Sequence, residues 1–157
     1  MAANLWLAGI AGIAGALVMT LFIYLFKAAG YNLDIPWLLG TYFVSPSAKA
    51  KAYATGMLLH LLMGGIWGVL YVYFLVAMVV PPNWPAGILY GVSHGIFIGA
   101  MIGILSTSHP NIGEGKRMSD PGMFGHRWGI GVSVTLLLVH IIYGVSTLLI
   151  YNSLFTP

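Results

Sequence analysis

The sequence predicts an all-α integral membrane protein built as a bundle of four transmembrane helices. Three observations carry this. Of the 157 residues 59% are hydrophobic and only 6% charged, with a mean hydropathy of +0.92, whereas soluble domains carry about 25% charged residues. Four apolar runs reach the roughly 20 residues a bilayer crossing needs: residues 5–29, 53–80, 86–108 and 128–151. In the third run glycine recurs at every fourth position, as Gly87, Gly91, Gly95, Gly99 and Gly103. Such a ridge weakens a helix in water, each Gly costing about 1 kcal/mol relative to Ala. In lipid it lets helices approach closely and pack by van der Waals contact. The expected organisation is one domain, residues 1–157, with polar connections at 30–52 and 109–127.

The first span opens with small residues, from Ala8 to Ala16, and turns bulky from Leu21 to Phe26. The small half is a packing surface and the bulky half a lipid-facing one. Lys27 and Tyr31 mark its interface. In the following connection Asp34, Pro36 and Trp37 open an apolar stretch to Val44. It is too short to span and reads as an interfacial helix or re-entrant segment. Ser45-Pro46 reads as a cap followed by a helix-starting proline. The second span places Tyr53, Gly56, His60, Gly64, Trp67 and Tyr71 on one face. The turn Pro81-Pro82-Asn83-Trp84-Pro85 leads into the glycine ridge, which Pro110 ends. The fourth span aligns Ser133, His140, Gly144, Thr147 and Tyr151.

Charge gives the orientation. All basic residues (Lys27, Lys49, Lys51, Lys116, Arg117, Arg127) and all acids (Asp34, Glu114, Asp120) lie at or in the connections at 30–52 and 109–127. The termini and the Pro81–Pro85 turn carry no charged side chain. By the positive-inside rule the connections face the cytoplasm of a prokaryotic plasma membrane and both termini face outward. The pI near 9.3 corresponds to a net charge of only +3, so it reports orientation rather than affinity for nucleic acid. Residues 1–5 carry no basic side chain, so no cleavable signal peptide is expected. The absence of cysteine excludes disulfides, thiolate ligands and a cysteine nucleophile.

The two halves echo each other. His60, Gly64 and Tyr71 recur with the same offsets as His140, Gly144 and Tyr151. Asp34 with Pro36-x-x-x-Gly40 answers Asp120 with Pro121-x-x-x-Gly125. This predicts a parallel 2+2 internal repeat about an axis along the membrane normal. The run His109-Pro110, then Asp120-Pro121-Gly122-Met123-Phe124-Gly125, then His140-Ile141-Ile142-Tyr143-Gly144 resembles a group of small four-helix bacterial membrane proteins of unknown function. The resemblance covers the C-terminal third. It implies the four-helix fold and no activity.

Three histidines fall inside spans: His60, His94 and His140. Ionisable residues there usually face the bundle interior. At 1.5 Å per residue, His94 and His140 both lie about 18 Å from the inner face, with His60 about 10 Å in. Two opposed imidazoles at one depth are what a b-type haem would require. The simpler alternative is that each ring bonds a neighbour such as Ser93, Tyr143 or a backbone carbonyl. A second group, His60, His109, Glu114, Asp120 and His126, has ligand types suited to Zn, Mn or Fe. Its spacing matches no compact metal motif, and Asp120-Pro121 also reads as a turn. A small proton or metal-ion transporter relaying along the histidines and Tyr53, Tyr71 and Tyr151 is a third possibility. No nucleophile motif or phosphate loop points to an enzyme.

The glycine ridge, with Ala86, Ser93, Ala100 and Thr107 on a second small face of the same helix, exceeds what one neighbour would use. The expectation is therefore an accessory, structural subunit packed among other membrane subunits of a larger complex, a respiratory or photosynthetic electron-transfer assembly. The alternative is a haem-binding membrane protein using His94 and His140.

Overall fold

Asn4 starts the first helix, its side-chain oxygen accepting the Leu7 N–H at 3.1 Å. In the computed structural model, which describes residues 3–155, five α-helices follow. They are α1 (Leu5–Ala28), α2 (Ile35–Phe43), α3 (Lys49–Ala77), α4 (Trp84–Ser108) and α5 (Ile130–Phe155). A 3₁₀ segment, Met123–Trp128, precedes α5. All but α2 are long and apolar enough to cross a bilayer, the architecture of a multi-pass membrane protein. Residues 1–2 and 156–157, included in the domain read from the sequence, lie outside the described residues.

Several boundaries differ from the sequence reading, each for a local reason. Ser45-Pro46 does not cap α3. Ser45 Oγ pairs with Ser47 Oγ at 2.8 Å in a turn, and the helix begins at Lys49 after Ala48. It ends at Ala77, three residues short of the apolar run, where Val79 turns with φ +57°. Trp84 and Pro85 belong to α4, because Asn83 accepts the Ala86 N–H at 3.0 Å and the proline sits in the first turn, where its missing N–H costs nothing. Trp128 closes the 3₁₀ segment rather than opening the fourth span. Gly129, at φ +114°, makes the break. The short segment after Asp34 is a helix, α2, capped by the Asp34 carboxylate on Trp37 N–H at 3.0 Å.

Glycines set the packing. A Cβ on Gly12 would stand 2.3 Å from the Gly64 carbonyl oxygen, and one on Gly68 would stand 2.5 Å from that of Ala8, so α1 and α3 touch backbone to backbone. Gly40 and Gly56 do the same for α2 on α3, at 1.8 Å from Ala52 O and 1.7 Å from Pro36 O. Gly15 fits against Thr147, joining α1 to α5. The ridge on α4 divides its work. Gly87, Gly91 and Gly95 meet α5, while Gly99 and Gly103 meet Phe124 and Met123. The backbone of Phe124 is left-handed, at φ +57°.

The ridge serves two neighbours within the chain. Every glycine of it is covered by α5 or by the 3₁₀ segment. On the second small face, Ser93 and Thr107 are exposed and bond back to their own helix, at Leu89 O and Ile104 O.

The close contacts run α3 to α1, α1 to α5 and α5 to α4. Between α3 and α4 the contact is made by side chains. The Trp67 ring stacks on His94 with centroids 3.9 Å apart, and the Tyr71 ring lies against Tyr90 at 5.0 Å. At the charged end Lys27 pairs with Asp34, which also accepts the Tyr53 hydroxyl at 2.7 Å. Arg127 pairs with Asp120. At the other end the Tyr151 hydroxyl accepts the Asn4 N–H at 3.2 Å and ties the end of α5 to the start of α1.

Gly91→Val places methyl groups where the α5 backbone lies and is expected to cost about 2–3 kcal/mol of overpacking. That corresponds to a fall of roughly 5–10 °C in melting temperature in detergent. Ser93→Val, two residues away on an exposed face, should leave the melting temperature unchanged. Equal melting of both variants would contradict the assigned contact.

Candidate functional site

The gap between α3 and α4 holds a cavity of about 350 Å³. Its inner wall is buried: Ala16 and Met19 from α1, His60 from α3, His94 from α4, and His140 and Tyr143 from α5. Its rim is Phe43 of α2, Met63 of α3 and Leu105 of α4, which are 68%, 43% and 45% exposed. In a bilayer this rim opens to lipid. Trp67 and His94 close the cavity toward the uncharged end.

The histidine rings are held differently. His140 Nδ1 lies 2.7 Å from the Leu136 carbonyl. A carbonyl only accepts, so Nδ1 carries the hydrogen and, in the neutral ring, Nε2 carries the lone pair. His94 Nδ1 lies 2.9 Å from the Tyr71 hydroxyl, which lies 3.2 Å from the Tyr90 carbonyl. His60 is 93% buried by its 7% exposure, and its Nε2 has no hydrogen-bond partner. The Ala16 carbonyl, which accepts the Thr20 hydroxyl at 2.7 Å, also lies against this ring. Among the described residues neither His94 Nε2 nor His140 Nε2 makes a hydrogen bond. The other buried side-chain atoms without a partner, on Tyr90, Ser133 and Thr147, are not on residues lining this cavity.

His94 and His140 are neighbours, with ring centroids 4.8 Å apart and an edge-to-face angle of 75°. A haem does not fit between them. The macrocycle would have to separate the two rings, which touch. At the same level a Cβ on Gly91 would already stand 2.6 Å from the His140 carbonyl oxygen. The α4 and α5 backbones are in contact where the porphyrin would lie.

The residues read as a metal group are dispersed. His109 Nε2–H donates to the Leu38 carbonyl at 3.1 Å while its Nδ1 accepts the Asn111 N–H at 3.1 Å. Asp120 accepts from Ser106 Oγ at 3.0 Å and Gly122 N–H at 2.8 Å and pairs with Arg127. His126 Nδ1 donates to the Met123 carbonyl at 2.8 Å. Glu114 is exposed. Among the described residues no group of three or more His, Asp or Glu could hold a metal ion. The tyrosines of the relay reading sit in three separate networks: Tyr53 with Asp34, Tyr71 with His94, and Tyr151 with Asn4.

No family model, curated protein or solved structure matches this chain. Sequence reasoning missed the cavity and the Tyr71–His94 bond. The signal for the bond was present, since Tyr71 shares a helix face with His60 and lies one helix away from His94.

His109 fastens the chain after α4 to α2, helped by Asn111 Nδ2, which donates to the Thr41 carbonyl at 2.7 Å. Burial holds its pKa below the ordinary histidine value, opposed by the Leu38 carbonyl. A base with a depressed folded pKa stabilises above its unfolded pKa, about 6.5, and loses that contribution as pH falls toward the folded value. Asp120 titrates elsewhere, because the Gly122 N–H, more than Ser106 or Arg127, holds its carboxyl below the usual range. The melting temperature should therefore fall between pH 7.5 and 5.5, and less so in His109→Gln. An equal fall in both proteins would contradict this role.

Proposed function

We propose that this chain is a binding protein for a bilayer-soluble small molecule, which enters sideways between α3 and α4. One observation carries the reading. A cavity of about 350 Å³ with an exposed apolar rim is lined by three buried histidines, His60, His94 and His140, and the Nε2 atoms of His94 and His140 make no hydrogen bond among the described residues. The volume lies within the range of small-molecule pockets, which are mostly apolar with a few placed polar groups. A polar side chain inside a membrane is costly and marks function by default.

The accessory-subunit reading rested on the glycine ridge together with a second small face of α4; the ridge is covered within the chain, while Ser93 and Thr107 of the second face are exposed. Native mass spectrometry from the chain's own membrane separates the two. The binding reading expects a particle of one or a few 16.8 kDa protomers carrying a small-molecule adduct. It also expects that adduct to be lost in Ile98→Trp, which fills the cavity. A large particle of several different chains, with no adduct, would favour the subunit reading.

The orientation and repeat belong to the same proposal. The Lys and Arg side chains gather at one end of the bundle, which supports cytoplasmic connections in a prokaryotic plasma membrane with both termini outside. Each half runs long helix, short helix, long helix, the short element of the second half being the 3₁₀ segment. This supports the 2+2 repeat. Because the chain has no cysteine, single cysteines report sidedness cleanly. Pro81→Cys should react with an impermeant maleimide on intact cells, and Glu114→Cys only after permeabilisation. The reverse pattern would invert the topology.

A further inference from the structure

We infer that the cavity between α3 and α4 takes a ligand whose buried end donates a hydrogen bond, a hydroxyl on an apolar body, rather than one that only accepts, such as a ketone, quinone or ether. This rests on the binding reading above and specifies its ligand.

The argument is the tautomer of each ring, fixed by what the other nitrogen touches. His140 Nδ1 faces a backbone carbonyl at 2.7 Å, so it must be the N–H, and Nε2 is left as an acceptor. His94 Nδ1 faces the Tyr71 hydroxyl, which has a single hydrogen. The Tyr71 hydroxyl is placed to donate to the Tyr90 carbonyl at 3.2 Å. Both bonds exist together only when Tyr71 gives its hydrogen to Tyr90 and accepts the His94 Nδ1–H. His94 Nε2 is then an acceptor too. The wall of the cavity therefore presents two bare imidazole lone pairs from rings 4.8 Å apart. A hydroxyl meets this set, because its hydrogen goes to one of these lone pairs. A molecule that only accepts leaves the His94 and His140 lone pairs unmet and gains nothing from them.

The test uses two matched probes, 4-octylphenol and its methyl ether 4-octylanisole, titrated into the full chain in lipid nanodiscs. Binding is read from histidine ¹⁵N spectra and corrected for each probe's partition into empty nanodiscs. The expected result is binding of the phenol about tenfold tighter than the ether, the worth of one hydrogen bond, with the preference lost in His140→Phe. In the unliganded wild type, His94 and His140 should show protonated Nδ1 and unprotonated Nε2, which decides the tautomers even if the variant does not fold. Equal affinity for both probes, or protonated Nε2 on His140, would overturn the hydrogen-bond inference while leaving cavity binding standing. If neither probe perturbs the cavity histidines, the binding reading itself fails.

Discussion

Backbone contact between helices is the constraint on which the rest of this structure depends. In lipid the hydrophobic effect does not drive helix to helix, because the tails are as apolar as the side chains. Attraction has to come from close van der Waals packing, and that needs residues without bulk. The chain supplies them in facing pairs: Gly12 with Gly64, Gly40 with Ala52, and Gly87 and Gly91 with Gly144. The row of long helices α3–α1–α5–α4 is the set of contacts these glycines permit.

The cavity follows from the same constraint. The glycines of α3 are used against α1 and α2, and those of α4 against α5 and the 3₁₀ segment. Neither helix keeps a small face for the other. They meet through Trp67, Tyr71, Tyr90 and His94, whose rings hold the two backbones apart. Below this aromatic contact the helices cannot close, and the space opens toward Phe43, Met63 and Leu105. The opening is thus a product of how small residues are distributed along the chain.

Composition and run length made the four long helices legible, and the Asp34 cap with Pro36 made α2 legible, because these signals are local. The face shared by His60, Gly64 and Tyr71 was legible from helical spacing. The partner of each face was not. Glycines every fourth residue show that a helix is approached closely, but not by what. Gly99 and Gly103 are covered by Phe124 and Met123, in a segment whose left-handed Phe124 and Gly125 no periodicity announces. Equal depth brought His94 and His140 to one level of the bundle. It could not show that the α4 and α5 backbones touch there, which is what leaves no room for a macrocycle.

The imidazoles need a reason to be where they are. A phenylalanine or leucine would fill the same wall without any desolvation penalty, whereas leaving a buried polar atom unpaired costs about 1–3 kcal/mol. The fold goes part of the way to satisfying these rings, anchoring His94 on Tyr71 and His140 on Leu136 by one nitrogen each. Where packing alone is at stake the same chain satisfies a ring fully: His109 uses both nitrogens, on Leu38 and Asn111. His109 lines the same cavity, and the difference between it and His94 and His140 separates structural use from open chemistry. An oriented ring with its second nitrogen left open toward a cavity is prepared for something that the chain itself does not supply.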